Sequence, residues 1–93
     1  MTKVVVTAQV EDLAKWEKGF RTHADLFRNI YGVTTPVSFA LGKEDEVAVC
    51  FEATDLDKAL KGLESPATAE AMALDGIKPG THKVFVLDRE LKV

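Results

Sequence analysis

His23 is the residue of this sequence whose type and position best suit acid–base chemistry. At 100° per residue it falls within about 20° of Trp16, on the apolar side of a predicted helix. An imidazole titrates near neutral pH, so a histidine in a pocket between helix and sheet can act as a general acid or base. The alternative is a packed histidine with one hydrogen bond to the backbone. His23 is the candidate catalytic residue, and both interpretations stay open.

Gly19 precedes His23 by one helical turn. A glycine inside a helix costs about 0.5–1 kcal/mol relative to alanine. The missing side chain would leave space beside the imidazole or allow close packing. We therefore expect His23 to have low solvent exposure. A carboxylate near it is expected from the ends of the third strand, at Glu46 or Glu52.

Large aromatic residues share the predicted helix with His23. They are Trp16, Phe20, Phe27 and Tyr31. Such a set could line a pocket for a small apolar or aromatic ligand. The same residues would also serve any helix that packs on a sheet. They are candidate substrate-binding residues, with a core role as the alternative.

The other residues that carry chemistry exclude several kinds of site. Cys50 is the single cysteine, which excludes a disulfide framework and a cysteine-based zinc or iron–sulfur site. With only two histidines, we expect no metal and no cofactor. His82 is expected to be exposed at a strand end. An unpaired cysteine fits a reducing compartment, so the expected location is cytoplasmic.

Composition and length narrow the class further. Twelve Lys and Arg against 15 Asp and Glu give a net charge of −3, which argues against nucleic-acid binding. No run of about 18 apolar residues exists, so no membrane span is expected. At 93 residues the chain is expected to form one domain over 1–93.

The elements that must position His23 follow from the apolar periodicity. Strands are predicted over 4–10, 35–41, 46–53 and 81–88, and one long helix over 12–31. A second helical region begins in a capping box at Thr54 and restarts at Ser65 and Pro66. The order β-α-β-β-α-β is typical of the ferredoxin-like α+β fold, in which a four-stranded antiparallel sheet has its helices on one face.

The last strand is apolar on both faces. Val84 and Val86 alternate with Phe85 and Leu87, as expected of a sheet buried on both sides. Two helices can cover only one face. A second copy of the same sheet is the economical cover for the other, so the sequence predicts a homodimer.

Several short patterns occur together along the chain. They are an Asp12-x-x-x-Trp16 pattern followed by Phe20, His23 and Gly32; the strand 46–52 followed by 55–59; and Ser65-Pro66 followed by 70–72. In combination they resemble the dimeric α/β-barrel superfamily, which includes antibiotic-biosynthesis monooxygenases, cyclases and stress-responsive proteins. The resemblance implies a ferredoxin-like fold and a sheet-to-sheet homodimer.

The first strand and the second helical region differ from the pattern of that superfamily. Its cofactor-free oxygenases use an asparagine on the first strand and a histidine on the second helical segment. This strand has Thr7 and Gln9, and the second helical segment has no histidine. Thr7 is the strand residue that joins the candidate substrate-binding set.

Two functional hypotheses follow. In the first, a homodimer binds an aromatic or polyketide-like molecule and acts as a cofactor-independent monooxygenase or cyclase, with His23 transferring protons. In the second, the dimer binds a ligand or serves a stress response without catalysis. The position of His23 favours the first, and the departures from the superfamily pattern favour the second.

Overall fold

The chain forms one antiparallel sheet with its helices packed on one face. A computed structural model describes all residues from Met1 to Val93. In chain order the elements are β1 (Thr2–Gln9), α1 (Leu13–Phe20), a π-helical segment (Leu26–Ile30), β2 (Ser38–Leu41), β3 (Glu46–Ala53), α2 (Leu56–Leu63), α3 (Pro66–Leu74) and β4 (Lys83–Leu87).

The strand order is β2-β3-β1-β4, and every neighbouring pair is antiparallel. β1 lies in the centre and pairs with β3 over its whole length, from Thr2 opposite Ala53 to Gln9 opposite Glu46. This topology confirms the ferredoxin-like fold predicted from the order of elements. β2, which follows Pro36, is an edge strand, as a proline before a strand predicts.

The core lies between the sheet and the helices, where alternate strand residues point inward. Val4 and Ala8 of β1 and Val47 and Phe51 of β3 are almost fully buried. Trp16 of α1 is also only 2% exposed. Period-two alternation in the strands thus decides which residues form the core.

The predicted continuous helix over 12–31 is wrong, because the structure breaks it after Phe20. In an unbroken helix the N–H of His23 would bond the carbonyl of Gly19. Here the hydroxyl and the N–H of Thr22 both bond that carbonyl, at 2.6 and 3.0 Å. The N–H of His23 bonds the carbonyl of Phe20 instead. Competition from a short polar side chain thus ends α1 at Phe20, eleven residues before the predicted end of the helix.

The ends of several other elements also differ from the prediction. α2 is capped by Asp55, and not by Thr54 as predicted. The carboxylate of Asp55 accepts the N–H of Lys58 at 3.1 Å. The hydroxyl of Thr54 instead donates to the carbonyl of Gly32. β4 begins at Lys83 because the Thr81 side chain accepts the N–H of Gln9 in place of a strand partner. Each change comes from a side chain that replaces a backbone bond.

The face of the sheet away from the helices carries exposed apolar side chains. Phe85 and Leu87 of β4 are 49% and 51% exposed. Val5 of β1 lies beside them, because it pairs with Phe85 on one side and with Cys50 of β3 on the other. Ala48 is two residues before Cys50 on β3 and therefore lies on the same face. We refer to this surface as the open face. No helix of the chain has the length and apolar character needed to cross a membrane.

Candidate functional site

His23 and Asp75 form a partly buried hydrogen-bonded pair. His23 Nε2 lies 2.7 Å from Asp75 Oδ2. The side chains are 16% and 5% exposed. A carboxylate can only accept here, so Nε2 carries the proton of this bond. The neutral imidazole then has its lone pair on Nδ1, the nitrogen that a general base needs.

The carboxylate of Asp75 is fixed by the turn that follows α3. Asp75 ends that helix, and Gly76 adopts a positive φ of 77°. The carbonyl of Gly76 accepts the N–H of Glu11 at 2.9 Å, and Ile77 bridges to Val10. The end of β1 therefore holds the turn that carries Asp75 against the break in the first helix.

Gly19 makes room for this carboxylate. A Cβ built on Gly19 would lie 2.8 Å from Cγ of Asp75, closer than real Cβ contacts. The space predicted beside His23 is thus occupied by its partner. Glycine is required here by close packing and not by backbone conformation.

The partner of His23 is not Glu46 or Glu52, as expected from sequence. Both alternate with the inward-pointing residues of β3 and so lie on the open face. Asp75 was missed because Asp-Gly at a helix end is typical of a turn. In the sequence, only the missing side chain of Gly19 indicated that another group packs beside His23, and it did not indicate which residue that is.

Two concave spaces meet at His23. A small cavity of about 60 Å³ lies between the helices and the sheet, and a wider groove of about 560 Å³ opens between the broken helix and the segment 33–39. Three side chains line both spaces: Phe20, His23 and Phe27. His23 therefore stands in the wall that the cavity and the groove share.

The structure brings together only part of the predicted substrate-binding set. Trp16 lines the cavity and stacks on Phe20, with ring centroids 4.8 Å apart. Tyr31 lines neither space and belongs to the core beside Phe27 and Phe51. Thr7 pairs with Ala48 on the open face, so the sheet separates it from His23.

Tyr31 is held by a buried hydroxyl chain. The Thr68 hydroxyl donates to the carbonyl of Gly62 at 2.6 Å, so Tyr31 donates to Thr68. Burial raises the pKa of Tyr31 above its ordinary value, and the bond to Thr68 opposes that rise. Gly62 is required because a Cβ there would lie 2.6 Å from the Tyr31 ring.

The groove has cationic groups at its rim and aromatic rings inside. Arg21 and Arg28 contribute to its lining, each paired with a carboxylate of its own helical segment. The Arg21 guanidinium also lies 5.1 Å from the centroid of Phe39. The Thr35 hydroxyl is buried in the wall without a hydrogen-bond partner. Flat apolar molecules with polar substituents fit such a lining.

The sequence matches no protein-family model and no curated protein. Solved structures do match. An antibiotic biosynthesis monooxygenase superposes with a TM-score of 0.69 at 11% identity, covering 98% of this chain and 100% of that one. The chain has the fold of these proteins. This confirms the predicted resemblance at the level of the fold.

Two further structures have the same architecture. SnoaB, a cofactor-independent oxygenase from Streptomyces nogalater, superposes with a TM-score of 0.66 at 18% identity, covering 97% of this chain and 95% of that chain. A NIPSNAP family protein with unknown function from Agrobacterium tumefaciens gives 0.64 at 12% identity, covering 94% and 86%. At such identities the likeness concerns the fold, and the function must be argued from the site.

The structure contains no group of three or more His, Cys, Asp or Glu side chains that could hold a metal ion. The bond to Asp75 equips His23 for acid–base chemistry. His82, the other histidine, is exposed, as predicted, and lines neither space.

Proposed function

We propose that this chain is a homodimeric, cofactor-independent monooxygenase that acts on an aromatic molecule with an acidic C–H bond. The observation that carries the proposal is the 2.7 Å bond between His23 and Asp75 in the wall of the groove. A histidine held by a buried carboxylate has a fixed tautomer and a partner for the positive charge that it gains as a base. Solved structures with this fold include an antibiotic biosynthesis monooxygenase and a cofactor-independent oxygenase, which favours oxygenation over cyclisation.

The groove is the better place for such a substrate. Its volume of about 560 Å³ lies within the range of about 300–1,000 Å³ typical of small-molecule sites. The cavity, at about 60 Å³, has room for roughly two water molecules. A fused-ring substrate therefore binds against Phe20, Phe27 and Phe39, with its reacting carbon directed at His23.

The reaction needs no redox group from the protein. His23 removes one proton from an activated CH₂ group, and the carbanion attacks dioxygen to form a peroxide. The imidazolium returns its proton to the peroxide, which then loses water to leave a carbonyl. One oxygen atom stays on carbon, and the other leaves as water with the two hydrogens of the CH₂ group. Asp75 stabilises the imidazolium between the two proton transfers.

The open face supports the dimer in this proposal. Phe85 and Leu87 are half-exposed there beside Val5 and Cys50, and a second copy would bury them. A two-fold axis through the open face makes the surface complementary to itself. A stable dimer should bury more than roughly 1,000 Å² in total.

The test uses anthrone, a three-ring probe with an activated CH₂ group, and measures dioxygen uptake and quinone formation. His23→Ala should lower kcat about 10²–10⁴-fold, the usual contribution of a general base. Asp75→Asn should also lower it, because an amide N–H facing Nε2 favours the tautomer with its proton on Nδ1. His82→Ala is the matched control and should be unchanged.

A non-enzymatic ligand-binding dimer is the second candidate. The absence of the asparagine and histidine positions used by oxygenases of this fold favours it. Under this reading His23 and Asp75 only join two helix ends. His23→Ala would then lower stability and leave both ligand binding and the uncatalysed rate of anthrone oxidation unaffected.

A further inference from the structure

The small cavity behind His23 has no ligand in the function proposed above. All but three of its lining residues are apolar, and those three are His23, Thr68 and Asp75. We propose that this cavity is a binding site for dioxygen, an inference that rests on the proposed oxygenase function. The ligand is a small apolar molecule that reaches the reacting carbon from the side opposite the groove.

The cavity is too small to hold the aromatic substrate. A volume of about 60 Å³ corresponds to roughly two water molecules, which is too small for a fused aromatic ring system and sufficient for a diatomic gas.

Polarity disfavours water. A buried water needs about two to four polar partners. Asp75 Oδ2 and His23 Nε2 are bonded to each other, and the Thr68 hydroxyl already accepts from Tyr31 and donates to Gly62, which leaves Asp75 Oδ1 and His23 Nδ1 as the free polar atoms of these side chains. The rest of the lining is apolar, including Trp16 and Met72. This predominantly apolar lining favours an apolar gas over water.

The position suits the chemistry. Phe20, His23 and Phe27 are shared between cavity and groove, so a molecule in either space contacts the same side chains. A carbanion formed at His23 on the groove side would meet dioxygen held on the cavity side. The reaction then needs only local movement of the shared aromatic rings.

Methionine NMR can test dioxygen binding without turnover. The chain has two methionines. Met72 lines the cavity, and Met1 is 74% exposed at the N-terminus. In protein labelled with ¹³C at the methionine methyl groups, spectra under nitrogen and under pressurised oxygen give the paramagnetic relaxation caused by dioxygen. We expect it to be several-fold larger at Met72 than at Met1, and equal or smaller relaxation at Met72 would overturn the proposal.

A matched pair of variants tests whether the excess relaxation at Met72 comes from dioxygen in the cavity. Ala71→Val adds two methyl groups to the cavity lining and should remove the excess relaxation at Met72. Ala73→Val makes the same change two residues along α3, at an exposed position outside the lining, and should leave the excess intact. Excess relaxation that survives Ala71→Val would place dioxygen elsewhere and overturn the proposal.

Kinetics separates this inference from the proposed function. With anthrone, Ala71→Val should raise KM for dioxygen several-fold and leave KM for anthrone unchanged. Turnover that depends on His23, without excess relaxation at Met72, would reject the dioxygen site and leave the oxygenase. Excess relaxation that Ala71→Val removes, without any turnover of anthrone, would support the gas site and reject the oxygenase.

Discussion

Gly19→Ala is the substitution that most directly tests the arrangement of the site. Alanine normally stabilises a helix relative to glycine, by about 0.5–1 kcal/mol. At this position the new Cβ would lie 2.8 Å from Cγ of Asp75, which must move. Asp75 is 5% exposed and is followed by Gly76, whose carbonyl is bonded to Glu11. The carboxylate therefore has little room to yield without leaving His23.

The expected cost follows from two effects. Forcing atoms into a packed site costs about 1–3 kcal/mol. Losing a hydrogen bond to a charged group costs about 1.5–3 kcal/mol. After subtracting the helical gain, Gly19→Ala should lower the free energy of unfolding by about 2–5 kcal/mol, a large part of the 5–15 kcal/mol typical of a domain.

Urea unfolding followed by circular dichroism measures this loss of stability. A double-mutant cycle with Asp75→Ala then shows whether the loss comes from the contact with Asp75. In an Asp75→Ala background the obstacle is gone, so Gly19→Ala should become neutral or stabilise by up to about 1 kcal/mol. Stabilisation by Gly19→Ala in the wild-type background would refute the reasoning. So would an equal cost in both backgrounds, since the strain would then not involve Asp75.

Three further outcomes are expected. Trp16→Ala should lower the free energy of unfolding in urea by about 3–5 kcal/mol, because Trp16 is buried and stacked on Phe20. A loss under about 1 kcal/mol would contradict its place in the core. Folding raises the pKa of Tyr31 above 10.0, so the folded protein holds this proton more tightly than the unfolded chain. The free energy of unfolding should therefore be constant below pH 10 and fall by about 1.4 kcal/mol per pH unit between pH 10 and the folded pKa. Tyr31→Phe should remove that alkaline slope, and absorbance titration should report Tyr31 alone because it is the only tyrosine. Sedimentation equilibrium should give about twice 10.2 kDa; Phe85→Asp should yield a monomer and Leu74→Asp, on an exposed part of α3, should not.

The sequence by itself determined the order of the elements and the faces of the strands. β3 occupies the predicted range 46–53, and Gly32 and Gly76 end helical segments with positive φ, as glycines at those positions predict. These features are set by local periodicity and backbone conformation, which neighbouring residues fix among themselves. The apolar side of the predicted helix over 12–31 also placed His23 toward the sheet, where it lines the cavity, although α1 ends before His23.

The tertiary structure alone decided what His23 contacts. Asp75 lies 52 residues further along the chain, and no local pattern relates the two. The break after Phe20 depends on Thr22 bonding the Gly19 carbonyl, a competition that helical periodicity does not contain. The volumes of the cavity and the groove depend on how side chains from several elements pack together. Such contacts are set by the relative placement of whole elements, so they become visible only when the chain is folded.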